Sequence, residues 1–399
     1  MEFERKSSGI IKSFNILDIF SINLLYMGIL SGISYPLFVS SLLKNVNLLY
    51  AILIGAVFEI PLLLMYYRLT TKYPLNGGDY AYIRTAFSSK FYTVFGISLW
   101  LTYVLSQPIL GDLVLLNFNI QNQFEQFLIV ESLFPIVLLI IANKKIYAKI
   151  VDILAIAQII IAIFIAFKSF SFQYQNFTIS NTLLSALLFD LSAFIFINAI
   201  SYIAGEIKNI KKSSMVGYFV SYGIVAILSI IDSYSNLNIL FALMPIWFFS
   251  YMPIANKIQS RLIQTMSFDK VLPEKFSKIN PNVLLLIFIA NTIANVLENL
   301  LGFNISFGLD GLLFIFWNFI IVAFAYLKLM NDRILFFTVL TSLAIQIFLF
   351  FYLGYQNIIF YKFVISGNIE YTILRIIIIP IIGAIVYLLR KSKINVMPK

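Results

Sequence analysis

The chain has no cysteine and no histidine among its 399 residues. It therefore cannot form a disulfide, hold a metal through thiolate or imidazole ligands, or use either group in catalysis. Charged residues are also scarce, at 12% of the sequence, whereas hydrophobic residues make up 61%. Several runs of about 18 or more residues carry few or no charges, which is long enough for a helix to cross a bilayer. These proportions predict an all-α integral membrane protein.

The N-terminus lacks the features of a cleavable signal peptide. Arg5, Lys6 and Lys12 precede an apolar run from Phe14 to about residue 43. A signal peptide has a shorter apolar core, of roughly 7–15 residues, followed by a small-residue cleavage site. We therefore expect the first apolar run to remain in the protein as a membrane span.

Hydropathy divides the chain into twelve predicted spans within a single transmembrane domain, residues 1–399. The spans cover residues 14–43, 47–69, 91–117, 127–142, 147–168, 183–204, 214–232, 236–258, 283–301, 308–329, 333–355 and 370–389. The largest connection, about 259–282, is charged and amphipathic, which predicts a segment lying along the membrane face.

The basic residues indicate the orientation. With the N-terminus in the cytoplasm, the inner segments hold 24 of the 28 Lys and Arg residues. The outer loops hold only Lys44, Lys168 and Lys362, while Arg375 falls in the last span. This asymmetry follows the positive-inside rule, so we expect a multi-pass protein of the cell membrane with both termini in the cytoplasm. The net charge of +10 is spread over seven inner segments, which argues against a nucleic-acid partner.

Two segments carry residues that disfavour a regular helix. In the first span, Gly28, Gly32 and Pro36 interrupt an apolar run, and Pro36 cannot donate to the carbonyl of Gly32. Close packing of small residues is the alternative interpretation, but we expect a helix break. In the segment 74–84, the pair Gly77-Gly78 supplies conformations that other residues disfavour, which predicts a tight turn and a new helix.

Four motifs, in this order, resemble those of the amino acid–polyamine–organocation permeases. They are Ser31-Gly32-Ile33, Pro74…Gly77-Gly78-Asp79-Tyr80, Ala204-Gly205-Glu206-Ile207-Lys208-Asn209, and Ser260-Arg261-Leu262 followed by Met266-Ser267-Phe268-Asp269. The resemblance covers about residues 14–330. It implies two inverted five-helix repeats, residues 14–168 and 183–329, two extra C-terminal helices, 333–389, and broken first and sixth helices.

The resemblance also implies a substrate site at the two breaks. Backbone N–H groups in the first helix would bind a substrate carboxylate, because a helix N-terminus favours negative charge; the residues concerned are Ser31, Gly32 and Ile33. The side-chain pocket and gate would involve Phe194, Phe196 and Asn198. Gln107, deep in the third span beside Pro108, is a further pocket candidate.

The chain departs from the family pattern at three points. Leu30 replaces the first Gly of the first-helix motif, and in the sixth span Phe196 replaces a Gly and Asn198 an acid. Gln158 takes the position of a Lys that several proton-coupled members carry, and Gln cannot titrate. Coupling through that position is therefore in doubt.

Polar groups within spans are costly and suggest functional roles. Glu59 is a candidate for proton coupling, although a hydrogen bond to a neighbouring helix is the simpler interpretation. Ser250 lies where sodium-coupled relatives of the implied fold place hydroxyl ligands. Asp112 and Asp190 lie toward the outside, where they could form an acidic vestibule or pair with Arg375, although a hydrated outer rim is the simpler interpretation.

The sequence favours a secondary active transporter of amino acids or related amines, coupled to a proton, to sodium or to exchange. It predicts no enzyme activity, no cofactor and no metal site, and the partners are a small-molecule substrate and the lipid bilayer. A non-transporting sensor or scaffold on the same fold is an alternative, since function is grafted on folds. A lipid-linked transferase is a weaker one, because such enzymes need carboxylate pairs or basic clusters that hold metal and phosphate.

Overall fold

The computed structural model describes residues 12–28, 48–116, 120, 122–169, 194, 196–234, 244–278, 281–299, 306–356 and 369–394. Within these ranges the fold is helical, with two isolated β-bridges. The α-helices are α1 Ile16–Met27, α2 Leu48–Lys72, α3 Gly78–Ala86, α4 Ser89–Leu116, α5 Gln123–Ala142, α6 Lys144–Ser169, α7 Ala199–Tyr202, α8 Ile210–Met215, α9 Ser221–Asp232, α10 Met244–Phe268, α11 Pro281–Asn299, α12 Ser306–Met330, α13 Arg333–Gln356 and α14 Ile369–Arg390. A π-helical turn, Val216–Val220, joins α8 to α9.

Five stretches of helix in the described chain are long and apolar enough to cross a membrane. They are Leu49–Lys72, Gln123–Ala142, Lys144–Ile165, Ile210–Ile231 and Pro281–Asn299. Large apolar side chains on their surfaces remain exposed, which suits contact with lipid rather than water. The prediction of an all-α, multi-pass membrane protein is therefore confirmed. The number of spans and their inverted repeat stay predictions.

The first helix ends inside the predicted span. Asn15 caps its start, because the Asn15 side chain accepts from the backbone of Asp18 while the Asp18 carboxylate accepts from the backbone of Asn15. The helix stops at Met27, and Gly28 follows with a positive φ of 74°. The polypeptide thus leaves the helix at the first glycine of the segment in which we expected a break.

The sixth span is also interrupted. Residues 196–198 are not helical, α7 that follows has a single turn, and a 3₁₀ turn, Ala204–Glu206, comes next. Tertiary contacts hold these short pieces, because a four-residue helix is not stable alone. Backbone hydrogen bonds attach the segment before α1 to them, from Phe14 N to Glu206 O at 3.1 Å and from Lys208 N to Phe14 O at 2.9 Å.

The predicted turn at Gly77-Gly78 is confirmed. The φ angles of Gly77 and Gly78 are 100° and 53°, and a Cβ on Gly77 would lie 2.6 Å from the Thr265 hydroxyl. The turn is docked on the α7 segment by hydrogen bonds from Gly77 N to Tyr202 O at 3.1 Å and from Gly205 N to Asn76 Oδ1 at 2.8 Å. Both glycines are therefore required by backbone angle and by space.

The connection predicted for residues 259–282 is different in the structure. Helix α10 continues to Phe268, and residues from Gln259 to Ser267 are buried rather than spread along the membrane face. Their polar side chains bind other parts of the fold, as described below. An amphipathic pattern cannot distinguish a helix that faces a polar cluster from one that faces water, which explains why the prediction is wrong for residues 259–268.

Helix α1 is central among the described elements, because it packs on α6, the π turn, α9 and α10. The last helix, α14, lies along α4. At this second contact a Cβ on Gly383 would stand 2.8 Å from the backbone oxygen of Val94. Small residues allow such a close approach between membrane helices.

We expect Gly383→Ala to destabilise the protein by about 1–3 kcal/mol, since the methyl group would meet backbone that cannot move without shifting a helix. Thermal unfolding in detergent measures the effect. Gly223→Ala is the matched control, because a Cβ there meets nothing within 4 Å and alanine favours the helix. Equal melting temperatures for the two variants would contradict the close contact of α14 with α4.

Candidate functional site

The end of α1 and the break in the sixth span meet at an aromatic cluster, which we define as Tyr26, Phe196, Trp247 and Tyr251. Tyr26, in the last turn of α1, stacks on Tyr251 with ring centroids 5.5 Å apart and an interplanar angle of 9°. Phe196, in the non-helical part of the sixth span, meets the Tyr26 ring edge-on at 5.6 Å. Trp247 lies 5.2 Å from Tyr251. Aromatic side chains from three chain segments therefore close around the ends of the two breaks.

A chain of tyrosine hydroxyls leads from this cluster to the turn at Gly77. The hydroxyls of Tyr26 and Tyr103 are 3.2 Å apart, and Tyr103 donates to the Tyr202 hydroxyl at 3.3 Å. Tyr202 donates in turn to Asp79 Oδ2 at 3.0 Å. The rings of Tyr103 and Tyr202 meet edge-on. The aromatic cluster and the turn are thus connected through hydrogen bonds.

Asp79 ends this chain and is fully buried. Its Oδ2 accepts from Asn198 Nδ2 at 2.9 Å and from Asn318 Nδ2 at 2.6 Å, in addition to Tyr202, and its Oδ1 accepts from the Tyr66 hydroxyl at 2.7 Å. We call these five residues the Asp79 cluster. Burial raises the pKa of Asp79 above its ordinary value, while the four hydrogen bonds act in the opposite direction.

A second buried carboxylate, Glu206, lies on the same side of the bundle. Arg261 contacts its Oε1, Lys144 Nζ lies 2.7 Å from its Oε2, and Asn76 Nδ2 donates to Oε1 at 3.2 Å. Lys257 is also buried nearby, with Nζ 5.1 Å from the centroid of the Tyr147 ring. Burial alone would raise the pKa of Glu206, but the cations outweigh it and hold that pKa below its ordinary value.

The structure separates the pocket residues predicted in the sixth span. Phe196 belongs to the aromatic cluster. Phe194 is buried against Tyr222 instead, with centroids 5.3 Å apart. Asn198 donates to Asp79, so its amide is used in the Asp79 cluster.

Gln107 is buried on α4, one turn beyond Tyr103. Its Oε1 accepts from Asn256 Nδ2 at 2.9 Å, and Asn291 Nδ2 donates to Asn256 Oδ1 at 3.2 Å. The Nε2 of Gln107 has no hydrogen-bond partner within the described residues. Gln107 therefore anchors a line of buried amides.

The predicted coupling residues lie apart from one another. Glu59 Oε1 accepts from Gln346 Nε2 on α13, as the simpler interpretation of this acid predicted. Ser250 donates to the carbonyl of Ile246 in its own helix at 2.7 Å. Gln158 is buried on α6, where its amide has no partner among the residues described.

The remaining predicted site residues cannot be placed. Ser31, Gly32, Ile33 and Asp190 lie outside the described residues, as does the side chain of Asp112. From the sequence, Asp79 and Glu206 are known only as positions in motifs, and no pattern gives a role to Tyr26, Tyr103 or Tyr202. The only sequence signal for these tyrosines was their residue type, and many tyrosines in a membrane protein have no functional role.

We expect Glu206→Gln to cost about 3–5 kcal/mol in the free energy of unfolding, because Arg261, Lys144 and buried Lys257 would lose the carboxylate that neutralises them. Thermal and denaturant unfolding measure the loss. Glu274→Gln is the control, since Glu274 pairs with Lys270 at the surface and such pairs contribute little. A Glu206→Gln protein as stable as the control would show that Glu206 does not hold the cations together.

Three comparisons place the chain among known proteins. No family model matches it. Its fold is similar to the crystal structure of a mutant manganese transporter from Eremococcus coleocola, with a TM-score of 0.57, 13% sequence identity and coverage of 94% of each chain. At this identity the likeness concerns the fold alone. Over all 399 residues of both chains, 92% are identical to those of an uncharacterized protein 399 of Sulfolobus islandicus rod-shaped virus 1. The chain therefore belongs to the same family as this viral protein.

Proposed function

We propose that the protein is a secondary active transporter that moves an amino acid or a related amine across the cell membrane by alternating access. The observation that carries the proposal is the contact between Tyr26 and Phe196, because it joins the end of α1 to the break in the sixth span. Irregular backbone at membrane depth is tolerated only where it is buried in protein or lines a cavity, and transporters bind substrates at such points.

The chemistry at this contact suits an amine. The C-terminal end of a helix carries a partial negative charge, and α1 ends next to the Tyr26 ring. Faces of Tyr and Phe rings attract cations, so the rings of the aromatic cluster could bind an ammonium group. The carboxylate of an amino acid would then bind the backbone of Ser31, Gly32 and Ile33, as the resemblance to the amino acid–polyamine–organocation permeases implies.

The proposal also includes the orientation of the protein in the membrane and a role in transport rather than in catalysis. The basic residues around Glu206 and on the neighbouring loops indicate that this side faces the cytoplasm, together with both termini. We assign no enzyme activity, since none of the clusters described combines a nucleophile or metal site with an open pocket. Transport would be coupled to an ion gradient or to exchange.

The manganese of the structural neighbour defines the competing substrate class. Among the residues described here, no group of three or more carboxylate, thiol or imidazole side chains could hold a metal ion. The breaks are surrounded instead by tyrosine and phenylalanine rings, the amide of Asn198 and one carboxylate, that of Asp79. These groups support an organic amine more than a divalent metal, whose sites are built from charged or imidazole ligands.

Transport assays on proteoliposomes test the function. The purified chain should mediate counterflow of at least one member of a panel of radiolabelled amino acids and polyamines, with protein-free liposomes as the control. Manganese is included as a separate arm. Movement of manganese alone would overturn the amine assignment, and folded protein that moves no solute would favour a sensor or scaffold.

Phe196→Ala should lower the apparent affinity for the transported amine by about ten-fold, equivalent to about 1.4 kcal/mol, because it removes one ring from the aromatic cluster. Concentration-dependent uptake gives the apparent affinity. The control is Phe249→Ala, which truncates a ring exposed on the outside of α10. If both variants transport as well as the parent, the aromatic cluster does not bind the substrate.

A further inference from the structure

Asp79 differs from the buried acids Glu206 and Asp269 because only neutral groups donate to it. Glu206 and Asp269 each contact a guanidinium, from Arg261 and Arg84. In the described part of the chain, no lysine or arginine forms an ion pair with Asp79. A buried carboxylate without a cation is costly, and it tends to take up a proton when its hydrogen bonds are weakened.

The groups that face Asp79 are tyrosines and amides. From α1, α2, α3, α4, α7 and the π turn come six tyrosines, namely Tyr26, Tyr66, Tyr82, Tyr103, Tyr202 and Tyr218. Helix α12 contributes the amide of Asn318. Directly after α10, the acid Asp269 is held by Arg84 at 2.7 Å and by the Tyr80 hydroxyl at 3.0 Å. The burial of Asp79 and its own hydrogen bonds therefore determine whether it is ionised.

The hydrogen bonds to Asp79 hold together separate parts of the fold. Tyr66 belongs to α2, Asn198 to the break of the sixth span, Tyr202 to α7 and Asn318 to α12, while Asp79 begins α3. Three of the four donors share a single oxygen, Oδ2. A protonated oxygen cannot accept three donors, and hydrogen bonds to a neutral carboxyl group are roughly half as strong as those to a carboxylate.

We propose that Asp79 is a proton-binding site, and that its protonation separates α3 from α7 and α12 on the side of the Gly77 turn. The tyrosine hydroxyls from Tyr26 to Tyr202 connect this site to the aromatic cluster, so an occupied substrate pocket and the charge of Asp79 can influence each other. The inference rests on the proposed function only for its use in transport. The proton site itself is tested without a substrate.

The absence of cysteine from the chain makes a single-cysteine reporter straightforward. Ser201 is fully buried, donates to the Asn198 carbonyl at 2.6 Å and faces Gly78, so a cysteine there reacts only when α3 moves away from α7. Lys72→Cys serves as an exposed reference that corrects for the effect of pH on thiol reactivity. Ser229→Cys, buried on α9, defines the pH range in which the protein stays folded.

In detergent, the labelling rate of Ser201→Cys relative to Lys72→Cys should rise about ten-fold as the pH falls from about 8 to about 5, since protonation shifts the protein toward the open state. With Asp79→Asn added, labelling should be fast at every pH. With Glu274→Gln added, it should keep the dependence of the parent, because Glu274 lies at the surface in a pair with Lys270.

A flat pH profile in the parent, or an unchanged profile with Asp79→Asn, would overturn the proposal. The proposal would also be overturned if labelling changed at constant pH when N-methylglucamine replaces sodium, because the cation bound at Asp79 would then be sodium and not a proton. If Asp79→Asn does not fold, Asp79→Glu decides: a displaced midpoint supports the site, and an identical midpoint refutes it. Labelling that follows pH in a protein without counterflow would refute the transporter and retain the proton site.

Discussion

The carboxylate of Asp79 is the interaction on which the described fold depends most. Among the described residues no lysine or arginine pairs with it, and four neutral donors stabilise its charge. These donors lie up to 239 residues away from Asp79 along the chain. The carboxylate thus fixes the relative positions of the Gly77 turn, the break in the sixth span and α12. A change in its charge affects all of them at once.

Glu206 and Asp79 are both buried carboxylates, but different groups offset the cost of burying their charge. Glu206 is surrounded by cations, which hold its pKa down, whereas Asp79 relies on hydroxyls and amides, and burial leaves its pKa raised. An acid paired with cations stays charged and forms a structural ion pair. An acid held by neutral donors has no ion pair to lose when it takes up a proton, which is the property required of a switch.

The aromatic cluster gives the fold its connection to function. Tyr26 lies in the last turn of α1, and its hydroxyl begins the chain of hydrogen bonds to Asp79. The same side chain thus contacts the place where we expect the substrate and the group whose protonation we infer. Alternating access requires such a link, because binding at one point must change the equilibrium between two arrangements of the helices.

Composition and local pattern were enough to predict a helical, multi-pass membrane protein, because the length and polarity of each apolar run report directly on the solvent around it. The glycines at 28, 77 and 78 also marked their turns correctly, since positive φ angles are a local requirement that few residues meet. Tertiary structure alone decided that Asp79 faces tyrosines and amides while Glu206 faces cations. It also placed Asn198 on Asp79 and buried the segment after Gln259. Partners from distant parts of the chain determine the environment of a buried polar group, and no local pattern records which partners those are.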